Sequence, residues 1–566
     1  MRALRWIAPA ALAILTAAPA SAGDILLNFV DPPGVGFNST LPPQTPAPGN
    51  AGATLGEQRR IVFQAAANIW EMALHPGVDV VVQASFSPLA CTATAGVLGA
   101  AGTIQIFANF DNAHWPNTWY HSSLANHIAG VDLTPGPFDP GLLQPPFNDD
   151  IVSFFNGDIG VNPNCLTGLT WYYGLDNNEP ANGLDLLAVV LHELGHGLGF
   201  SNQMTEATGT AALGISDIYA NFSRDNTSGL YWNQMDKQRR SVAAVNTNNE
   251  VWRGPAVKAA AAGVLIGRPF VRGAFGNIEA QPATFGTPLP PPPGVSGALA
   301  LFNDGTPPTS DACQPVVDPG VSGKVAIIDR GTCAFAFKAA VAQLNNAVGV
   351  IIVNNLPTGL PPMGGADLIP PAIPSVGVTA ADGAFLKANL GATVSLVADT
   401  AFGLAGTDSA GFPRLFAPNP AQPGSSGSHF DITLSPSALM EPAINVDLTT
   451  DLDLTDELMK DIGWDGQAHC PVGSDDRATV RVGSCSTGVA NKKGPFQFSL
   501  GLNGRTNGNA FGVDMNGGCF IQDMVNACVR MGPRDIRVNC LAHTTDYLED
   551  IGAISVADGL AIKACN

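Results

Sequence analysis

Residues 182–200, which read NGLDLLAVVLHELGHGLGF, limit the possible folds of this chain more strongly than any other segment. Their apolar side chains recur at the three- and four-residue spacing of a helix that is buried along one side. Asn182 is a favourable residue for the position that caps such a helix at its N-terminus. His192 and His196 are four residues apart, so a helix stacks their side chains on a single face. The segment therefore predicts a buried helix with two histidines that face the same way.

Two imidazole groups on one rigid helix face are able to bind a single metal ion. Zinc–nitrogen bonds are about 2.0–2.1 Å long, and this spacing lets both rings reach that distance from one ion. Glu193 stands where the general base stands in the H-E-x-x-H pattern, in which the metal lowers the pKa of a bound water and the glutamate takes its proton. Two ordinary core histidines are the competing interpretation. We predict one catalytic Zn²⁺ held by His192 and His196, with Glu193 as the base.

The stretch HELGHGLGF at 192–200 resembles the metzincin zinc peptidases, and its Gly-Phe ending resembles the leishmanolysin branch in particular. The general metzincin pattern has a third histidine at the position of Asn202. The leishmanolysin branch instead has its third histidine after an insertion, followed by a methionine turn. The matching residues here are His429 and, eleven residues later, Met440. The resemblance implies His429 as the third zinc ligand and Met440 as a structural floor beneath the metal. Three other residues remain open as the third ligand, namely His121, His127 and Asp217.

The long segment between the second and third ligands contains a strand-helix-strand pattern. Residues 323–335, GKVAIIDRGTCAF, resemble the protease-associated (PA) domain, a lid or docking module inserted in secreted peptidases. By this resemblance, Cys313 and Cys333 form the disulfide of an α/β PA domain. A Gly/Pro-rich entry marks a boundary, and we place the inserted domain at 264–400.

The rest of the sequence fits an α+β catalytic domain, which the inserted domain divides into two parts of the sequence, and a separate cysteine-rich terminus. Cys91 and Cys165 are possible disulfide partners within the first piece. Apolar patterning predicts a helix over 55–74 and strands at four places: 25–30, 78–86, 103–110 and 151–155. The predicted divisions are a signal peptide at 1–22, the first part of a metzincin-like zinc peptidase domain at 23–263, the inserted PA domain at 264–400, the second catalytic part at 401–465, and a disulfide-rich domain at 466–566.

The N-terminus and the composition bear on location and partners. Arg2 and Arg5, an apolar run and a small-residue ending near Ala22 predict a signal peptide, so the mature protein is expected to be secreted or periplasmic. The ten cysteines fit such an oxidising compartment. A net charge of −20 opposes binding to nucleic acid. No apolar run is long enough to predict a membrane span, and the sequence leaves the oligomeric state open.

These features together predict a secreted zinc-dependent endopeptidase that hydrolyses peptide bonds in protein or peptide substrates. The alternative is a catalytically inactive extracellular protein-binding or adhesion protein that retains the peptidase fold, and Asn202 keeps that alternative open. An aminopeptidase is a third interpretation, because PA domains accompany such enzymes. Their paired-metal carboxylate pattern is not evident in this sequence.

Overall fold

The computed structural model of the protein describes residues 23–134, 149–365, 371–445, 447–466, 470, 475–494, 497–498, 513–514, 519–529 and 534–565. The predicted signal peptide at 1–22 lies outside these ranges. Across the described residues, no helix is both long enough and apolar enough to cross a membrane. The helices are α1 (Leu55–Leu74), α2 (Ser122–Ala129), α3 (Leu186–Leu198), α4 (Lys237–Ala243), α5 (Pro255–Val264), α6 (Phe335–Leu344), α7 (Ala380–Ala388), α8 (Asp453–Ile462), α9 (Ile521–Val529), α10 (Arg534–Asp550) and α11 (Val556–Ala564).

The first part of the chain contains short sheets around one larger sheet. Its strands are β1 (Ile25–Phe29), β2 (Val80–Ser87), β3 (Gly99–Thr103), β4 (Ile106–Phe107), β5 (Thr118–His121), β6 (Ile151–Asn156), β7 (Thr170–Tyr172), β8 (Gly183–Asp185), β9 (Met204–Thr205), β10 (Thr210–Ala211), β11 (Ser216–Asp217), β12 (Ser223–Asp225), β13 (Leu230–Tyr231) and β14 (Glu250–Trp252). The four-stranded sheet has the order β1-β2-β6-β3. Strands β1, β2 and β6 run parallel, and β3 lies antiparallel at the edge. Helix α3 packs against α1, β3 and β6.

The edge strand is displaced from the strand predicted at 103–110. Residues Gly99–Thr103 pair with β6, so the predicted segment contributes only Thr103 to this strand. Ile106–Phe107 forms a separate short strand that pairs with β5. The predicted bounds of this strand were wrong because residues 99–102 read GAAG, which has no alternating or β-branched pattern. Such a segment becomes a strand through its pairing with a neighbour rather than through its own propensity.

Helix α1 occupies the predicted range and packs beneath α3. A capping box, in which Thr54 and Glu57 bond each other's backbone amides, fixes its first turn. Its buried face includes Phe63, which lies in T-shaped contact with Phe37 and Phe155. The indole Nε1 of Trp70 donates a 3.1 Å hydrogen bond to the carbonyl oxygen of Leu191 and so joins α1 to α3.

Helix α3 is buried along its whole length, as its sequence predicts, but it begins later than expected. Asp185 caps it by accepting a 2.8 Å hydrogen bond from Leu187 N, so Asn182 is not the cap. The reason is that Gly183–Asp185 pairs as a strand with Thr170–Tyr172 before the helix starts. The helix ends at Gly199, whose φ of 135° lies where a side chain is strained.

The inserted segment forms one mixed sheet of eight strands. They are β15 (Gly267–Gly273), β16 (Gly276–Glu279), β17 (Gln281–Pro282), β18 (Val295–Leu301), β19 (Val325–Asp329), β20 (Gly349–Val353), β21 (Ser375–Val378) and β22 (Thr393–Leu404), in the order β16-β15-β22-β18-β19-β20-β21-β17. Strands β18 to β21 are parallel. Helix α6 follows β19 and α7 follows β21, so the predicted strand-helix-strand pattern is confirmed.

The chain then returns to the first part through an irregular stretch. We call residues 425–441 the return segment; it contains neither a helix nor a named strand. Helix α8 follows and packs against α5. Beyond it lie the strands β23 (Thr479–Val482), β24 (Cys485–Ala490), β25 (Lys493–Gly494), β26 (Gln497–Phe498), β27 (Val513–Asp514) and β28 (Cys519–Phe520). Disulfides join Cys470 to Cys519, Cys485 to Cys565 and Cys528 to Cys540.

Candidate metal centre

Three buried histidines converge in the structure, two from α3 and one from the return segment. The Nε2 atoms of His192 and His196 are 3.1 Å apart, and the Nε2 atom of His429 lies 3.2 Å from each of them. Each of the three residues is less than a tenth exposed. The structure thus brings together the three residues that the sequence analysis singled out, although His196 and His429 are 233 positions apart in the chain.

The other nitrogen of each ring fixes the tautomer. Nδ1 of His192 contacts the carbonyl oxygen of Leu439 at 2.7 Å, that of His196 contacts the oxygen of Phe200 at 2.8 Å, and that of His429 contacts the oxygen of Ser425 at 2.9 Å. A carbonyl oxygen only accepts hydrogen bonds, so Nδ1 carries the proton in each neutral ring. All three Nε2 atoms then present lone pairs to one another, and they do not hydrogen-bond among themselves.

This donor set fits a zinc ion. Three nitrogens at 2.0–2.1 Å from one ion and at tetrahedral angles are about 3.3–3.4 Å apart, close to the distances observed here. Histidine ligands of metals commonly donate their second N–H to a backbone carbonyl, which orients the ring and raises its basicity. Converging lone pairs without a cation repel one another, so the arrangement favours a positive ion at the centre.

Burial keeps these imidazoles neutral. It lowers the pKa of His192 to about 4 and that of His196 to about 3, and it holds the pKa of His429 well below its usual range. The mutual proximity of the rings lowers the pKa of His196 and His429 further. A neutral imidazole is the form that binds a metal, and these rings adopt it throughout the neutral range.

Met440 lies against α3 at Gly195 and is fully buried. A Cβ atom added at Gly195 would stand 2.8 Å from its sulfur, so α3 approaches the methionine closely because residue 195 has no side chain. Phe430 N donates a 2.8 Å hydrogen bond to Met440 O, which closes the return segment on itself. The carboxylate of Asp453 accepts a hydrogen bond from Leu439 N and thereby joins the return segment to the start of α8.

Glu193 lies between α3 and the edge strand β3. Its carboxylate is so close to Gly99 that a Cβ atom there would stand 2.7 Å from Oε1. Burial raises the pKa of Glu193 to about 8, an effect that a hydrogen bond from the backbone of Ala101 partly offsets. Glu193 therefore lies beside the edge strand β3 and has a raised pKa, and perturbed pKa values are common among residues that transfer protons.

Asn202, which occupies the position of the third histidine in the general metzincin pattern, holds the return segment. Its backbone N and its Nδ2 donate to the hydroxyl oxygen of Ser428, at 3.2 and 2.9 Å, directly before His429. Its Oδ1 accepts a 3.1 Å hydrogen bond from Met204 N. The amide thus positions a neighbour of His429, a role that the sequence analysis did not assign and that only this tertiary contact reveals.

The other residues considered as third ligands lie outside the cluster. His121 Nε2 contacts the hydroxyl of Ser201 at 2.7 Å, and His127 Nδ1 contacts the carbonyl oxygen of Pro76 at 2.6 Å. The carboxylate of Asp217 accepts hydrogen bonds from two backbone amides, Gln203 N and Ala220 N. Within the described ranges, the group of metal-binding side chains at this site contains only the three histidines.

The four cysteines of the first part and the inserted segment are paired in the structure. Cys91 is bonded to Cys165, and Cys313 is bonded to Cys333. The first bond ties the loop before β3 to the loop after β6, near the edge of the four-stranded sheet. No described cysteine is free.

Comparisons with known proteins identify one part of the chain. Among curated proteins, none matches it. Solved structures with partial similarity include a zinc aminopeptidase from Bacillus subtilis, with 24% identity over 25% of this chain and a TM-score of 0.20, and an aminopeptidase from Aneurinibacillus sp. strain AM-1, with 20% identity over 32% and a TM-score of 0.19. The matches span 36% and 42% of those two structures, and their scores establish no shared fold. The metzincin resemblance stays a prediction. The family description of the PA domain matches residues 295–386, and this part of the chain is a PA domain.

Proposed function

We propose that the chain is a zinc-dependent endopeptidase of the metzincin type, with His192, His196 and His429 as ligands of one ion. The observation that supports this proposal is the convergence of three unprotonated Nε2 atoms 3.1–3.2 Å apart. The presence of a PA domain and of five disulfides accords with an exported peptidase.

The chemistry follows from the groups around the cluster. A zinc ion held there would polarise a scissile carbonyl and lower the pKa of a water molecule. Glu193 would accept the proton of the attacking water and deliver it to the leaving amine. A nearby cation stabilises the carboxylate form, so the base would be ionised at neutral pH despite its burial. Met440 would keep the underside of the site dry.

The edge strand β3 offers a way to align the substrate. It lies at the border of the four-stranded sheet, beside Glu193. An extended peptide that pairs with such an edge receives main-chain hydrogen bonds along its length, without a need for a chain terminus. This arrangement favours cleavage within a chain over removal of its first residue.

The test combines metal analysis with hydrolysis of casein by the purified mature chain. We expect about one zinc per chain, cleavage that a chelator abolishes and zinc restores, and loss of cleavage in Glu193→Gln with its zinc retained. Glu457→Gln is the matched control, because Glu457 pairs with Lys460 on α8. A chain that lacks zinc, or that binds zinc without cleaving, supports the alternative of an inactive binding protein.

A second assay separates the two kinds of peptidase. A peptide blocked at both ends has no free amine, so only an endopeptidase cleaves it, whereas an amino-acid p-nitroanilide reports aminopeptidase action. Turnover of the blocked peptide alone is expected. Turnover of the anilide alone, with two zinc ions per chain, would overturn the endopeptidase assignment and leave the zinc peptidase assignment intact.

A further inference from the structure

A cavity lies where the inserted domain meets the second catalytic part. We call it the junction cavity. Its volume is about 400 Å³, and its lining comes from β15 to β17, from the loops after β20 and β21, from residues 247–248 and from the stretch 406–433. Cavities that bind small ligands are about 300–1,000 Å³. The junction cavity lies at the small end of this range, so it accommodates a side chain or a chain end rather than a folded surface.

Two arginines in its wall, Arg268 and Arg414, form no ion pair with the residues that the structure describes. Arg414 forms no hydrogen bond or ion pair through its guanidinium group with the residues that the structure describes, and its Nε atom is buried. Arg268 makes one side-chain hydrogen bond, from Nη2 to the carbonyl oxygen of Thr407 at 3.1 Å. Arg272, on the same strand as Arg268, shows the contrast, because it meets Asp399 at 2.6 Å.

Neither acidic residue of the lining forms an ion pair with these arginines in the described part of the chain. Asp431 is the nearer charge: burial raises the pKa of its carboxyl, and attraction to Arg414 partly offsets that rise. Glu279 is exposed at the rim, and no ion pair joins it to either arginine in the described part of the chain. Asp431 is buried, and its Oδ1 accepts hydrogen bonds from the backbone N and the hydroxyl of Thr433. Two arginines therefore line one cavity in a protein with 47 acidic and 27 basic residues, and neither forms a direct ion pair with a described residue.

The remaining wall is suited to an organic anion. Phe416, Pro269 and Pro361 supply apolar surface, and an apolar wall with a few convergent polar groups is typical of ligand sites. Guanidinium groups bind carboxylates through paired, planar hydrogen bonds that are stronger than neutral ones. We propose that the junction cavity binds a peptide carboxylate, with Arg268 and Arg414 as its recognition groups. This proposal does not depend on the proposed peptidase activity.

The two arginines differ in what they contact, which helps the design of a test. The backbone oxygen of Arg414 accepts a 3.0 Å hydrogen bond from Asp431 N of the return segment. A substitution of Arg414 is therefore close to the segment that carries His429. Arg268 lies on β15 of the inserted sheet, and its side chain bonds only Thr407 among the described residues. Arg268→Gln is therefore the first variant to test, because it disturbs fewer contacts, and Arg414→Gln is the second.

The experiment is calorimetric titration of the full mature chain, loaded with zinc and carrying Glu193→Gln so that no probe is cleaved. The probes are acetyl-Gly-Glu-Gly-amide, the neutral acetyl-Gly-Gln-Gly-amide, and acetyl-Gly-Gln-Gly with a free carboxyl end. We expect the first probe to bind about tenfold or more tightly than the neutral one, because a hydrogen-bonded charge pair is lost in the latter. Binding of the third probe would show that a terminal carboxylate is also accepted.

Arg268→Gln and Arg414→Gln are each expected to weaken the acidic probe about tenfold, with zinc content unchanged. Arg239→Gln removes the same charge from an exposed position on α4 and is expected to have no effect. If Arg414→Gln unfolds, Arg414→Lys keeps the charge without the paired geometry and is expected to bind more weakly than the parent. Equal binding of the acidic and neutral probes would overturn the proposal. Binding that requires zinc and ignores both arginine substitutions would do so as well, since the probe would then lie at the metal centre.

Discussion

Helix α3 and the return segment bring imidazole groups to the same point by different means. In α3 the regular helix places His192 and His196 on one face, and the helix is enclosed by the core on every side. The return segment has no regular structure, and His429 depends on bonds to distant parts of the chain. Its carbonyl oxygen accepts a 2.9 Å hydrogen bond from Phe416 N, and the hydroxyl of the preceding residue, Ser428, accepts two from Asn202.

The difference indicates where the metal centre is vulnerable. A helix retains its side-chain spacing as long as the helix itself persists. An irregular segment retains its geometry only while its tertiary contacts do, and stability of this kind is lost locally before the core unfolds. Substitutions in or near the return segment should therefore alter metal binding, whereas substitutions under α3 should alter the stability of the fold.

The largest expected effect is that of removing the ligand from the return segment. His429→Ala should weaken zinc binding by more than about 100-fold, because even a residue that only orients a ligand is worth about 10–100-fold. His127→Gln and Asp217→Asn remove two of the competing candidates and should leave the affinity within about threefold. Titration against a competing chelator measures all three. Zinc binding that survives His429→Ala and fails in either control would move the third ligand away from the return segment.

The contact between the two regions is tested by Gly195→Ala. The added methyl group would collide with the Met440 sulfur, and such overpacking costs about 1–3 kcal/mol. Gly263→Ala is the matched control, because a Cβ atom at that position in α5 meets no atom within 4 Å. The control should be neutral or stabilising, since alanine favours a helix over glycine by about 1 kcal/mol. Urea unfolding gives both values. Equal stability of the two variants would show that α3 has room above the methionine.

A smaller effect is expected when Asn202 is shortened. Asn202→Ala removes the donors to Ser428 and should weaken zinc binding about tenfold, at the lower limit for a residue that orients a ligand. Asn202→Asp keeps an acceptor for Met204 N, and the hydroxyl of Ser428 is able to reverse its role and donate to the carboxylate. We expect the Asn202→Asp variant to retain most of the zinc affinity. An unchanged affinity in the alanine variant would mean that the other contacts of the return segment, including the bond from Phe416 N, suffice to hold His429 in place.

The contrast between local patterns and tertiary contacts also explains which features of the fold the sequence predicted. Helix α1 and the body of α3 follow from periodicity, because a helix records its burial in its own residues. The start of α3 was misplaced because the pairing of β7 with β8 overrides the capping preference of Asn182. The edge strand at 99–103 was missed for a related reason, as its residues carry no strand pattern and β6 defines it.

Long-range features were predictable only where a pattern was already known. His429 and Met440 were identified through resemblance to a family, since nothing in their local sequence distinguishes them from other residues. The role of Asn202 and the junction cavity had no local signal at all. The cavity is assembled from segments between residues 247 and 433 that contact one another only after folding.

The smallest expected effect concerns pH, and it tests whether the two regions share one environment. Protons compete with the metal only below the pKa of a ligand. An exposed histidine, with a pKa of about 6.5, would lose roughly 30-fold in metal affinity at pH 5. Burial lowers the pKa of His192 to about 4 and that of His196 to about 3. The zinc affinity of the metal centre should therefore change by less than about twofold between pH 7 and pH 5.

The sign of the linked stability change is fixed by the same values. A histidine with a lowered pKa binds more protons in the unfolded chain than in the fold. It therefore contributes stability to the metal-free protein above about pH 6.5, and that contribution is lost as the pH falls towards 4. Zinc affinity measured at pH 7, 6 and 5, corrected for protonation of the chelator, checks the binding side. A steep loss near pH 6.5 that disappears in His429→Ala would show that the imidazole of the return segment is hydrated, whereas those of α3 are not.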